Sequence, residues 1–178
     1  MAATPFLKKA STNPAEAMLQ EFIQEAAITR RVLDRVPEEQ LAWRPDPKSM
    51  SLGMLALHIA SSPAQIIKWV AVDSVDLKDV TRPQAQSKAE ILQTHQASVD
   101  AVLQGLRAAG EEGLLGAVAL RKNGATFMTM PKLAVVRTLV INHCIHHRGQ
   151  LTLYLRLLGV PVPAVYGASA DEAPFQRT

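Results

Sequence analysis

His143 and His147 stand four residues apart in the run NHCIHHRGQL. On a helix that spacing puts two imidazoles on one face, a single turn apart and close enough to share one ion. Imidazole nitrogens suit Zn, Ni, Cu and Fe, whereas Mg and Ca prefer oxygen, and two histidines need at least a third group. His58 is the candidate for that third ligand, because it stands beside the apolar face of another helical segment that would pack against the first. A lone histidine on an apolar face is ordinarily a hydrogen-bonded core residue. Three imidazoles buried together without a cation would leave ring nitrogens short of partners in a helical core. The joint pattern therefore favours one divalent transition metal ion on His58, His143 and His147, Zn or Ni first and Fe or Mn after them.

The neighbouring polar groups read differently. His146 precedes His147 by one residue and points about 100° away, which suits a pocket-rim group able to relay a proton better than a ligand. Cys144 falls off the same face and reads as a buried, inert thiol. His95, between Ile91 and Val99, reads as a partly exposed structural residue. No HExxH is present: Cys144, Ile145 and His146 separate the pair, so no carboxylate is delivered there as general base. No catalytic residue is assigned beyond the relay role of His146.

Four helical segments must position these groups. Asn13 as N-cap, Pro14 at the first helical position and Glu16 open the first, with Met18, Phe22, Ala26, Thr29 and Leu33 as its stripe. Pro37, Pro45 and Pro47 make 36–50 a loop, which Trp43 pins to the helices. Ser51 caps the second segment, which carries His58. Ser87 and Glu90 form a capping box for the third, which stops near Gly110. Gly113, Gly116 and Gly124 mark 110–129 as irregular surface. The fourth starts near Pro131 and ends at Gly159, placing Val136, Val140, His143, His147, Leu151, Tyr154 and Leu158 on one face. The expected helices are about 14–35, 51–72, 87–109 and 131–158, and the expected fold is all-α, a four-helix bundle.

The 178 residues fit one domain, with a core about 13–159 and a tail 160–178. Hydrophobic residues make up 48% and charged residues 20%, a globular balance that leaves only the termini loose. The 19 basic and 16 acidic residues are scattered with no basic run longer than a pair, so no nucleic-acid partner is expected. The opening MAATPFLKKASTNP has no apolar core of a leader, and no stretch reaches the roughly 18 apolar residues of a span. A soluble, cytoplasmic protein without membrane contact is expected. The single cysteine, Cys144, excludes an internal disulfide and suits a reducing compartment.

The strings WRPDPKSMSLGMLALHIA and NHCIHHRGQLTLYLRLLGVPVPAVYGASADE resemble the two signature regions of the DinB/YfiT-like family, over nearly the whole chain. The resemblance implies a metal-binding four-helix bundle in which one histidine of the second helix and an HxxxH pair of the last form the triad, here His58, His143 and His147. Arg148, Gly149 and Gln150 complete the HHRGQL string, with Gly149 expected to permit close helix approach. Family members that act as enzymes resemble thiol-dependent transferases and isomerases, and dimerisation is common among them.

Two functions follow as expectations. One is a metal-dependent enzyme, a thiol transferase or hydrolase in type, that activates a thiol or water toward a small electrophile, with a small-molecule substrate or a low-molecular-weight thiol as partner. The other is a non-catalytic metal or small-ligand binding protein linked to stress response. A homodimer is expected from the resemblance alone. Unperturbed imidazoles would release the ion below about pH 6.

Overall fold

The computed structural model describes residues 13–77 and 81–173. The expectation of loose termini falls on 1–12 and 174–178, outside the described residues. Helix α1 spans Pro14–Leu33. The Asn13 side chain accepts from the amides of Ala15 and Glu16, which satisfies two donors that the first helical turn leaves open. Glu16 does not turn back to the cap as expected; its Oε1 accepts from Gln20 one turn on.

A loop with a 3-10 turn at Glu38–Gln40 leads to α2, Leu52–Ile67, capped by Ser51 and continued by a 3-10 turn at Lys68–Ala71. Trp43 holds this loop down, edge-on to Tyr154 with ring centroids 5.5 Å apart. Helix α3 spans Lys88–Leu115, and Ser87 accepts from the Glu90 amide while Glu90 accepts from the Gln86 amide. The expected stop at Gly110 is a kink: the residue adopts φ 58° and ψ −164°, which a side chain would strain, and one more helical turn follows. The last helical stretch, α4 (132–157), begins with a turn at Lys132–Ala134, widens into a π-helical segment at Val135–Asn142 and returns to an α-helix at His143–Leu157.

The all-α expectation is corrected by a three-stranded sheet. Strand β1 is Ser74–Asp76, β2 is Ala117–Lys122 and β3 is Ala125–Pro131. The order is β1-β2-β3, with β1 parallel and β3 antiparallel to β2. Residues 110–129, expected to be irregular, therefore hold most of a hairpin. Asn123 and Gly124 form its turn with φ 52° and 78°, the left-handed conformation that a two-residue hairpin turn requires. The fold is mostly helical with a small sheet at one edge.

Apolar faces of all four helical stretches meet in the core. Leu33, Leu52, Leu55, Ile59, Ile91, Leu151 and Leu155 are fully buried in one cluster, and Phe22, Val102, Leu106, Val140 and Ile141 are buried in a second. Each such side chain stabilises by roughly 1.5–3 kcal/mol relative to exposure. Gly105 lets α3 approach α2, since a Cβ there would lie 2.7 Å from Ile67 Cγ1. The tail beyond α4 leaves the helix at Gly159 and is tied back by the pairs Arg156–Asp171 and Arg31–Glu172. Among the described residues, no helix is long and apolar enough to cross a membrane.

Candidate metal centre

His58 lies midway along α2, His143 directly follows the π-helical segment, and His147 follows one turn later. The Nε2 atoms of His143 and His147 are 3.0 Å apart, and those of His58 and His143 are 3.4 Å apart. The three rings stand nearly perpendicular to one another, at 85° to 90°. All three residues are half-buried, and their ligand atoms lie within 4.8 Å of one another.

This donor set fits a metal ion. Two nitrogens about 2.1 Å from one ion lie about 3.0 Å apart at a right angle and about 3.4 Å apart at a tetrahedral angle, the range in which these separations fall. Gln150 Oε1 lies 2.7 Å from His147 Nδ1 and can only accept, so Nδ1 carries the proton and Nε2 presents its lone pair to the cluster. The outer nitrogen of His143 is buried without a partner among the described residues.

Burial, before anything else, holds the cluster neutral. It lowers His58 and His143 from 6.5 to about 4, helped in each case by the neighbouring imidazoles and by Arg82. His147 is lowered by burial too, partly opposed by its hydrogen bond to Gln150. Neutral imidazoles at pH 7 are the form that ligates.

The groups around the triad divide by role. His146 is exposed, its ring 5.0 Å from that of His147, and the Gln150 amide spans the two: Nε2 contacts His146 at 3.2 Å while Oε1 engages His147. Gln150 falls three residues beyond His147 and four beyond His146, a spacing that already signalled contact with both. Cys144 is buried, and burial pushes its thiol up to about 12. Its Sγ donates to the Ile59 carbonyl at 3.6 Å. That carbonyl is the one stranded by Pro63, which sits inside α2 and has no N–H to return. The next amide along, that of Ala64, donates to Ser98 Oγ at 2.9 Å. A proline a turn beyond His58 is thus accommodated by side chains from α4 and α3.

Two expectations are corrected. His95 is buried at 7% exposure, not partly exposed, and faces a small internal cavity shared with Glu25 and Cys144. Gly149 is exposed with nothing within 4 Å of a built Cβ, so it mediates no helix approach; the close contact of this stretch is made by its neighbour Arg148. Arg148 is buried at 2% exposure and pairs with Glu25 at 2.7 Å, fastening α4 to α1.

On its open side the cluster borders a cavity of about 360 Å³, with His58 in its wall. Trp69, Val75 and Leu77 give that cavity an apolar side, and Gln65, Asp76 and Arg82 a polar one. Sequence reasoning missed these residues because several lie on β1 and the following segment, in a sheet it did not expect.

A mainly helical fold that presents three converging imidazoles, drawn from two helices, at the edge of an open cavity defines a class of helical proteins with a candidate metal site. The sequence model of the DinB family matches residues 9–177, and the chain belongs to that family. The uncharacterised protein YrdA of Bacillus subtilis strain 168 is 28% identical over 156 residues, covering 86% of this chain and 89% of YrdA. The crystal structure of a DinB-like protein from Bacillus cereus ATCC 10987 aligns with a TM-score of 0.69 at 27% identity, covering 85% of this chain and 97% of that one. A DinB-like protein from Bacillus subtilis, YjoA, shares the fold with a TM-score of 0.63 at 17% identity, covering 89% and 96% of the two chains.

Proposed function

We propose that this chain is a divalent-metal protein whose ion is held by His58, His143 and His147, and that it activates a thiol or water toward a small electrophile bound in the adjoining cavity. One observation carries the proposal: three Nε2 atoms, two of their separations 3.0 and 3.4 Å, converge where an open cavity of about 360 Å³ begins. An all-imidazole set favours Zn or Ni, with Fe or Mn as weaker fits. Held by three neutral ligands, a divalent ion would supply Lewis-acid chemistry that makes a thiol or water nucleophilic at neutral pH.

The residues of the chain do the remaining work. Burial keeps the three imidazoles unprotonated, and Gln150 fixes the His147 ring with its lone pair inward. His146, exposed on the same helix and joined to His147 through Gln150, accepts a proton at the rim and passes it to solvent. Trp69 forms part of the apolar side, where it excludes water from a bound electrophile.

The test joins metal analysis to an assay. Freshly purified protein should hold about one transition metal ion per chain, and His143→Ala should lose it. Metal-loaded protein and His147→Ala are then compared against a panel of electrophiles with several thiols. Turnover that survives His147→Ala unchanged rejects the metal mechanism, and metal binding without turnover with any thiol or water turns the reading to a binding protein.

A further inference from the structure

A guanidinium and the edge of the histidine cluster line one cavity. Its wall holds His58, the edge of the triad, and it also holds Arg82, an exposed residue with no ion pair or hydrogen bond among the described residues. A guanidinium that lines the same cavity as His58 would weaken the hold of the triad on a cation. Among the described residues Asp76 is the carboxylate in the cavity wall, and its Oδ2 accepts from the Gly124 amide at 3.3 Å, at the turn of the hairpin. Among the described residues no carboxylate pairs with Arg82, and an anionic ligand would offset the repulsion between its guanidinium and a cation on the triad.

We propose that Arg82 anchors a carboxylate, so that the cavity receives a small carboxylate-bearing organic molecule whose other end meets the histidine cluster at His58. The proposal deepens the function above and rests on it for what the ligand meets at that end. The shape fits the class. About 360 Å³ holds a short organic acid, Trp69, Val75 and Leu77 cover its carbon skeleton, and the planar fork of a guanidinium matches both oxygens of a carboxylate. The carboxylate belongs either to the electrophile or to the thiol that attacks it, and the chemistry recognised by Arg82 is the same.

The probe is succinate, titrated by calorimetry into the full chain, metal-loaded and metal-stripped, as wild type, Arg82→Gln and Arg82→Lys. A charged hydrogen-bonded pair contributes enough that Arg82→Gln should weaken succinate by about tenfold or more, with Arg82→Lys in between. Metal affinity should stay unchanged or tighten by a few-fold in Arg82→Gln, because a like charge has been removed. A residue that merely supports the fold would lose both together, so weaker succinate binding with metal affinity kept or tightened is the signature. Succinate bound equally by wild type and Arg82→Gln, no succinate binding at millimolar concentration by wild type, or joint loss of metal and succinate each overturns the proposal. Failure of the triad shows elsewhere, as full metal retention in His143→Ala, while the dependence on Arg82 is still read in metal-stripped protein. Two thiols locate the carboxylate. If succinate and 2-mercaptoethanol bind together, the carboxylate is on the electrophile; if N-acetylcysteine displaces succinate and itself weakens in Arg82→Gln, it is on the thiol.

Discussion

Arg148 follows His147 directly, yet its side chain leaves the histidine face and enters the protein, where its guanidinium is 2% exposed. It pairs with Glu25 at 2.7 Å, donates to the Glu25 carbonyl and Thr29 Oγ1 at 3.1 Å each, and donates to the Tyr166 hydroxyl at 2.7 Å. Replacing it with methionine keeps most of the apolar stem and removes all of these bonds. Glu25, whose side chain is 13% exposed, then keeps its charge with the Tyr166 hydroxyl as its remaining partner among the described residues. Breaking one side of a buried pair costs about 3–5 kcal/mol, most of it the penalty of the stranded charge. The partial exposure of Glu25 puts this case near the lower end, about 3 kcal/mol. Exposed pairs such as Arg31–Glu172 contribute about 0–1 kcal/mol. Urea denaturation reads the difference as a lower midpoint at unchanged slope. Neutralising the stranded partner should restore part of the loss, so Arg148→Met with Glu25→Gln is expected to be more stable than Arg148→Met alone. A loss below about 1 kcal/mol, or a double variant weaker than the single one, refutes the view that a buried charge pair holds α4 on α1.

His95 is kept neutral by burial first and by Arg30 second, which lower it from 6.5 to about 4. Because the unfolded chain binds its proton at higher pH, this contribution is complete above pH 6.5 and is lost as pH falls through 4. It amounts to about 3 kcal/mol, so His95→Met should flatten the decline of stability across that window, as followed by denaturation midpoints. An unchanged slope would sink the assignment. Cys144→Ala removes the donor to the Ile59 carbonyl and should cost about 1–3 kcal/mol, partly recovered when Pro63→Ala restores a backbone N–H. With its thiol pushed up to about 12 and buried, Cys144 should react with Ellman's reagent only as fast as the protein opens; immediate labelling at neutral pH would contradict this. The lowered histidines also shift acid release of metal: protons compete closer to pH 4 than to the pH 6 that unperturbed imidazoles give, and a metal-retention profile against pH distinguishes the two.

The helices were legible because their signals are local. Asn13, Ser51 and Ser87 cap where they were expected to cap, and the face carrying Val140, His143, His147 and Leu151 needs only helical spacing to be seen. The convergence of His58 with His143 was a longer step, since 85 residues separate them and only the packing of α2 on α4 joins them. The sheet was missed although its signal was present. Asn123-Gly124 lies between segments in which Val118 and Leu120 alternate with polar or small residues, the pattern of a hairpin. Strand β1 had no such signal, for three residues carry no period, and its parallel pairing to β2 depends on the crossover through α3. Arg148 is legible in sequence only as a member of the HHRGQL string, and it is buried because Glu25, 123 residues away, meets it.

The hairpin of β2 and β3 has a consequence for how such a protein can change over generations. It supports β1 through Leu77 N donating to the Arg121 carbonyl and Gly124 N donating to Asp76, so it braces the β1 side of the cavity wall, and among the described residues it makes no hydrogen bond to any of the three histidines. The β1 side of the cavity wall is therefore carried by a stretch of chain separate from the helices that hold the imidazoles, while α2 contributes His58 and Gln65 to the wall as well. Insertions or substitutions in the hairpin can reshape what enters while the histidine geometry stays as it is. The shape of the cavity is the feature that mutation can vary in this architecture, and the convergence of the three imidazoles is the part it must leave alone.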